Sequence, residues 1–312
     1  MAQAALTSAP AHRSLLSDLA HSRAFLGFAF MLPAAAILLF FLTYPLGLGV
    51  WLGFTDARLN RAGYFIGFEN YESLAGDPIF WLAVFNTLLY TFVASILKFL
   101  LGLWLALILN ENLPMKSFFR AVVLLPWVVP TVLSALAFWW LFDAQFSIIS
   151  WVLIKAGLIT SPINFLGDTT NARASVIAAN VWRGIPFVAI TLLAGLQTIS
   201  PSLQEAATLD GATPWQRFRH ITLPLLTPII AVVMTFSVLF TFTDFQLIWV
   251  LTRGGPLNAT HLMATLSFQR FSSGQLGEGA AIAVAMVPFL LAAILFSYFG
   301  LQRRKWQQGG DD

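Results

Sequence analysis

Ser237, Thr241 and Asp244 stand at i, i+4 and i+7 in the run FSVLFTFTDFQLIWVL, with Phe240 beside them. Helical periodicity puts the three on one stripe of an otherwise apolar segment. Two hydroxyls and a carboxylate next to an aromatic ring can grip a polyhydroxylated solute. The oxygens take its hydroxyls and the ring takes its apolar face. An earlier apolar run, NVWRGIPFVAITLL, carries Arg183, and Gly184 and Phe187 of the same run are expected to face the stripe from the opposite wall. Arg183 and Asp244 lie about 14 and 10 Å from the outer ends of their runs at the helical rise, so a structural salt bridge between them is the competing reading. A carboxylate at that depth is expensive unless it faces protein, water or a countercharge. Lys98, deep in another apolar run, has no evident partner and reads as a snorkelling side chain.

The elements that must position these groups follow from composition. Of 312 residues, 58% are hydrophobic and only 10% charged, too little polar surface to solvate a globule of that size. The class is all-α membrane protein. Runs of bilayer-spanning length, about 20 residues, occur at Phe80 to Leu109, Ala121 to Phe142, Ala174 to Leu196, Pro228 to Leu251 and Ala280 to Leu301. A further run from residue 25 to about Phe54 exceeds the apolar core of a signal peptide and reads as an uncleaved first span. Six transmembrane helices result, preceded by a tail over 1–24, occupying 25–302 and followed by a tail over 303–312. Continuous apolarity excludes the alternating strands of a barrel.

With no cysteine and four scattered histidines, thiolate and HExxH-type metal sites are excluded. An intramembrane enzyme lacks any Ser/His/Asp or metal constellation. The net charge of +3 reads as membrane topology rather than nucleic-acid binding. With the N-terminus in the cytoplasm, Arg13, Arg23, Lys116, Arg120, Arg217, Arg219, Arg303, Arg304 and Lys305 fall inside. Arg58, Arg61, Lys155, Arg173, Arg253 and Arg270 fall outside. That inner excess predicts both termini in the cytoplasm.

The outer connections, near 55–79, 143–173 and 252–279, are long and rich in aromatic, proline and glycine residues. They read either as solvated linkers or as a docking surface for an external partner. Pro126, Pro130 and Pro186 predict kinks or unwinding in the third and fourth spans, although most such prolines serve packing.

The stretch Glu205 to Pro224, EAATLDGATPWQRFRHITLP, is a polar insert between the fourth and fifth spans. Ser202 and Glu205 have capping-box spacing, Gly211 supplies a stop, and Thr213-Pro214 starts a second helix that Pro224 should close. A helix, a glycine bend and a helix are expected, with Ala206 and Ala207 flat and Trp215 and Phe218 bulky. Such a surface suits a groove in another protein; an amphipathic segment lying on the bilayer is the alternative.

The spacing E-A-A, three residues, G, nine residues, I-x-L-P is met by Glu205, Ala206, Ala207, Gly211, Ile221, Leu223 and Pro224. It resembles the coupling loop of ATP-binding-cassette importer permeases. Across residues 25 to 303 the chain is similar to the maltose-transporter type, with GFENY, LLPWVVP, LLAGLQ and LTRGGP as supporting stretches. The resemblance implies that the loop, over 200–225 and including Asp210, docks on a cytoplasmic ATPase subunit. It also implies a second homologous permease, two ATPase copies that use ATP and Mg, an external solute-binding protein, and surrounding lipid of a bacterial or archaeal inner membrane. The chain itself has no GxxxxGK[ST] sequence and is expected to bind no cofactor. Sugar-contacting positions of the family map onto Arg183, Gly184, Phe187, Ser237, Phe240, Thr241 and Asp244. Thr241 and Asp244 replace amides of the maltose carrier, and Arg183 replaces an apolar residue, which leaves the cargo open among sugars, polyols and oligosaccharides. Related permeases import glycerol phosphates or glycerophosphodiesters, a reading that Arg183 favours and Asp244 opposes. An ion-coupled secondary transporter would also place an acid in a span but needs no capped cytoplasmic helix pair.

Overall fold

A computed structural model describes residues 22–307. The expected N-terminal tail up to residue 21, including Arg13, and residues 308–312 lie outside the described residues, as do the side chains of Arg303, Arg304 and Lys305. Among the described residues there are no strands, only isolated bridges joining Thr55 to Phe65 and Arg58 to Arg61. Among the same residues five helices are long and apolar enough to cross a membrane, and a bent pair, taken as one span, makes a sixth.

The chain divides into two units, one running to Trp51 and the other starting at Leu52. The first unit is the N-terminal span. Ser22 caps it by accepting from the Phe25 amide at 3.0 Å, and α1 (Arg23–Leu38) passes through a π-helical turn, Leu39–Thr43, into α2 (Tyr44–Leu52).

In the second unit, α3 (Glu69–Gly76) leads into α4 (Pro78–Asn110), whose start is set by Asp77 accepting from the Ile79 amide and by Pro78 in the first turn. The third span is the bent pair, α5 (Lys116–Val128) and α6 (Thr131–Leu141), which meet at 88°. Pro130 forces Val129 into extended backbone, ψ 130°, which a helix cannot pass through. The expected kink is therefore a full break. After α7 (Ile148–Lys155) comes α8 (Thr169–Leu196), capped by Asp168 on the amides of Thr170 and Asn171. Pro186 lies inside α8 without interrupting it, contrary to the expected unwinding. One lost hydrogen bond is outweighed where the helix is packed by α4, α5 and the fifth span.

The insert then forms α9 (Pro201–Leu209) and α10 (Pro214–Arg217), followed by a π-helical turn, Phe218–Thr222, and α11 (Leu223–Phe242). After a break come α12 (Gln246–Leu251), α13 (Met263–Ser272) and α14 (Leu276–Gln307). Contrary to the expectation from sequence, Pro224 does not close the second helix of the insert; the helical path runs on through it. Both π turns end two residues before a proline, Pro45 and Pro224. In each, the residue before the proline donates five residues back, Tyr44 to Leu39 and Leu223 to Phe218. The wider turn relieves the clash of the proline ring with the preceding turn.

Helices α4 and α8 form the most extensive pair. A Cβ on Gly102 would lie 2.7 Å from Val188 Cγ1, so the absent side chain sets the closeness of the crossing. Leu103, Val188, Leu192, Leu226 and Val233 continue this contact towards the loop end, while Tyr90, Val176 and Leu247 pack with α6 at the other.

Candidate functional site

A cavity of about 460 Å³ opens between α4, α8, α11 and the bent pair, and all seven residues singled out from sequence line it: Arg183, Gly184, Phe187, Ser237, Phe240, Thr241 and Asp244. From α8, Asn180, Arg183, Gly184 and Phe187 line it at i, i+3, i+4 and i+7. The break at Pro130 brings Trp127 and Thr131 to the same wall. Trp127 stacks on Phe187 with ring centroids 5.0 Å apart, and Phe240 stands edge-on to Phe187 at 6.3 Å. These three rings form one aromatic corner suited to the apolar face of a sugar ring.

Asp244 departs from the expected stripe. α11 ends at Phe242, so Asp244 sits in non-helical backbone between α11 and α12. Its Oδ2 accepts from Tyr90 Oη at 2.7 Å and Asn180 Nδ2 at 2.9 Å, and its Oδ1 accepts from the Leu247 amide at 3.3 Å. The carboxylate thus ties α4 and α8 to the broken span and caps α12. No direct ion pair joins it to Arg183 among the described residues, although the two charges still attract across the cavity, and Arg183 Nε is buried without a hydrogen-bond partner.

Lys98 does not snorkel. It is 3% exposed, and its Nζ donates to Thr241 Oγ1 at 2.5 Å, while Thr241 in turn donates to the Ser237 carbonyl. Gly184 is what admits it: a Cβ there would collide with Lys98 Cδ. Sequence reasoning missed Tyr90, Asn180, Trp127 and Thr131. Tyr90 and Asn180 carried a usable signal, as polar side chains within apolar runs; the others depend on where Pro130 turns the chain.

A second, larger cavity, about 620 Å³, lies where Asn110 and Glu111 approach Gln204, Glu205, Arg217 and Phe218 of the insert. Around it, Thr213 and Gln216 form a capping box, and Arg217 Nη1 donates to Thr208 Oγ1 at 2.6 Å. The first helix starts at Ser200, with Pro201 in its first turn and no side-chain cap. Ser202 lies inside it and shares a hydrogen bond with Ser200, so the expected Ser202–Glu205 capping box is absent. Gly211 adopts φ +79° with nothing near its would-be side chain, the left-handed stop expected of a C-terminal glycine. Glu205, Ala206, Asp210, Gly211 and Pro224 are exposed, and Ala207, Ile221 and Leu223 are half-buried. Leu209 and Trp215 are 89% and 66% exposed.

At the opposite end of α4, a polar network holds the 252–262 connection. Asn86 Nδ2 donates to the carbonyls of Asn258 and His261, and Arg173 Nε donates to Asn86 Oδ1 and the Ala259 carbonyl. His261 is buried beside Gly254, and burial pushes its imidazolium down to about 4. Arg270 pairs with Asp77 at 2.6 Å and with Glu278 at 3.6 Å, fastening α13 to the starts of α4 and α14.

This fold, a bundle of apolar spans around a polar cavity with a capped helical insert, defines a polytopic membrane transport subunit. Residues 98–307 match the family described as the inner membrane component of binding-protein-dependent transport systems, and the chain belongs to it. The chain is 36% identical to the trehalose/maltose transport system permease protein MalF of Thermococcus litoralis, over 93% of this chain and 99% of that one. It is 36% identical to the sulfoquinovosyl glycerol transport system permease protein SmoG of Agrobacterium fabrum, over 81% and 83%. Among solved structures, a bacterial ABC transporter involved in the import of the acidic polysaccharide alginate aligns with TM-score 0.80 and 25% identity, over 93% of this chain and 98% of that one. The chain is a multi-pass permease subunit of a binding-protein-dependent ABC importer.

Proposed function

We propose that the chain carries a sugar, polyol or oligosaccharide across the inner membrane, received from an external binding protein and moved by ATP hydrolysed elsewhere. The named cargoes of its relatives, trehalose/maltose, sulfoquinovosyl glycerol and alginate, are all glycans or glycosides. The observation that carries the reading is the convergence of an aromatic corner, four hydroxyls and three charged side chains on one cavity within the spans. The hydroxyls and charged groups would hydrogen-bond the cargo while Trp127, Phe187 and Phe240 cover its ring faces.

In the working assembly this permease pairs with a second, homologous one, and two cytoplasmic ATPase copies bind ATP and Mg. Glu205 to Gly211 forms the docking helix on one ATPase, and the connections at 55–79, 143–173 and 252–279 receive the binding protein. Both termini are cytoplasmic. Because α10 runs into α11 through the π turn without interruption, a push on the docked insert reaches Ser237 and Thr241 through one helix. The permease performs no bond chemistry; it alternates which side of the cavity is open.

The test is uptake by the complex reconstituted in vesicles with its binding protein. Transport is expected to require internal ATP and the ATPase subunits. Uptake that survives removal of those subunits, or that follows a proton gradient, sinks the proposal in favour of secondary transport.

A further inference from the structure

The charges lining the cargo cavity do not balance. Lys98 and Arg183 face a single carboxylate, Asp244. That carboxylate is already engaged by Tyr90, Asn180 and the Leu247 amide, so its capacity to hold a cargo hydroxyl is largely spent. Lys98 is fixed as well, its stem against Gly184 and its amino group on Thr241. Arg183 is different. Among the described residues it makes no direct ion pair, only a longer-range attraction to Asp244; its Nε is buried without a hydrogen-bond partner, and it lines the open cavity.

A guanidinium left unpaired within a membrane span is costly, and such residues mark substrate pathways. Its planar fork suits a carboxylate, sulfonate or phosphate better than it suits hydroxyls. Arg183 and Phe187 are one turn apart on α8, about 6 Å along the axis. A sugar ring stacked in the corner of Trp127 and Phe187 would therefore hold an exocyclic substituent beside Arg183.

We propose that the cavity selects an anionic glycoside over its neutral counterpart, with Arg183 receiving the anionic group. This rests on the reading of the cavity as the cargo site. The single carboxylate, Asp244, is outnumbered by the two cations of the cavity, Lys98 and Arg183, and its oxygens are turned to Tyr90, Asn180 and α12.

The experiment is calorimetric titration of the assembled permease–ATPase complex in lipid nanodiscs, without binding protein, using methyl glucuronide and methyl glucoside at neutral pH. Methyl glucuronide is expected to bind about tenfold or more tightly than methyl glucoside, the scale of a charge-assisted pair. Arg183→Gln is expected to abolish that preference, the affinity for methyl glucuronide falling to that for methyl glucoside in the same variant, and Arg183→Lys to restore part of it. Equal affinities in the wild type overturn the anionic proposal while leaving the cargo site standing, and need no variant. A preference that survives Arg183→Gln in an assembled complex overturns the role of Arg183. Binding of neither probe sinks the cargo-site reading and this one with it.

Discussion

The cavity and the helical insert are both polar features of an apolar chain, and they are built in opposite ways. In the cavity, hydrogen bonds join residues remote in sequence: Tyr90 to Asp244, Asn180 to Asp244 and Lys98 to Thr241. In the insert most bonds close within a turn or between the two short helices, as in Thr213–Gln216, Arg217–Thr208 and Gln204–Thr222. Its apolar side chains Leu209 and Trp215 face outward. The cavity is thus preorganised by the same bonds that hold the spans together, whereas the insert offers a rigid but uncovered surface. Substitutions in the first should cost stability and transport together; those in the second should cost transport alone.

The largest effect is expected from Asp244→Ala. It strands Tyr90 Oη and Asn180 Nδ2 without their acceptor and uncaps α12, a loss of about 3 kcal/mol for unsatisfied buried donors. Uptake should vanish and the thermal midpoint of the purified permease should fall clearly; an unchanged midpoint would break the contrast. Gly211→Pro is the counterpart in the insert. Proline cannot adopt φ +79°, so the bend between α9 and α10 is lost. Uptake and ATPase stimulation by binding protein should drop about tenfold, the order expected when roughly 1.4 kcal/mol of coupling is removed. The melting midpoint should barely move, because nothing packs on that glycine. A midpoint falling as far as that of Asp244→Ala would show the insert to be part of the structural core instead.

Gly184→Ala sharpens the comparison within the cavity. The added methyl displaces the buried Lys98 stem, at a cost of about 1–3 kcal/mol for overpacking. It should weaken cargo binding several-fold through loss of the Lys98–Thr241 bond. If Gly184→Ala with Lys98→Ala, which removes the clashing Cδ, restores stability, the glycine is there for the lysine, and its contact with cargo is secondary.

How much of this was legible in the sequence depends on whether the signal was local. The helix start at Thr213 and the stop at Gly211 are short-range devices, and the apolar runs sufficed for the spans. The cavity set was legible because Ser237, Thr241, Arg183 and Asp244 are polar residues where only apolar ones are cheap. What was not legible depended on tertiary context. Pro130 and Pro186 look alike in sequence, yet one breaks its span and the other does not. Pro224 passes through a π turn that no propensity announces, and the partners of Asp244 and Lys98 come from helices more than sixty residues away.

The smallest expected effect tests the far end of α4, where the 252–262 connection resembles the cavity in being held by remote partners. His261 is buried and neutral, its Nδ1 beside Thr265 Oγ1 at 3.1 Å. Arg173 is engaged with the Ala259 carbonyl and Asn86, and Arg253 stands next to Gly254, against which the His261 ring packs. Burial lowers the folded value to about 4 from the ordinary 6.5, so the unfolded connection takes up a proton first as pH falls. The stability contributed by neutral His261 is therefore complete above about pH 6.5 and is lost as pH falls towards 4. Thermal melts of the purified permease should show a midpoint that declines through this window. His261→Gln should flatten the decline while lowering the midpoint by a few degrees at neutral pH, the scale of about 1 kcal/mol. An unaltered pH profile in that variant would mean that the histidine is already protonated or solvated. The connection would then belong with the insert as a surface awaiting its partner, and not with the cavity.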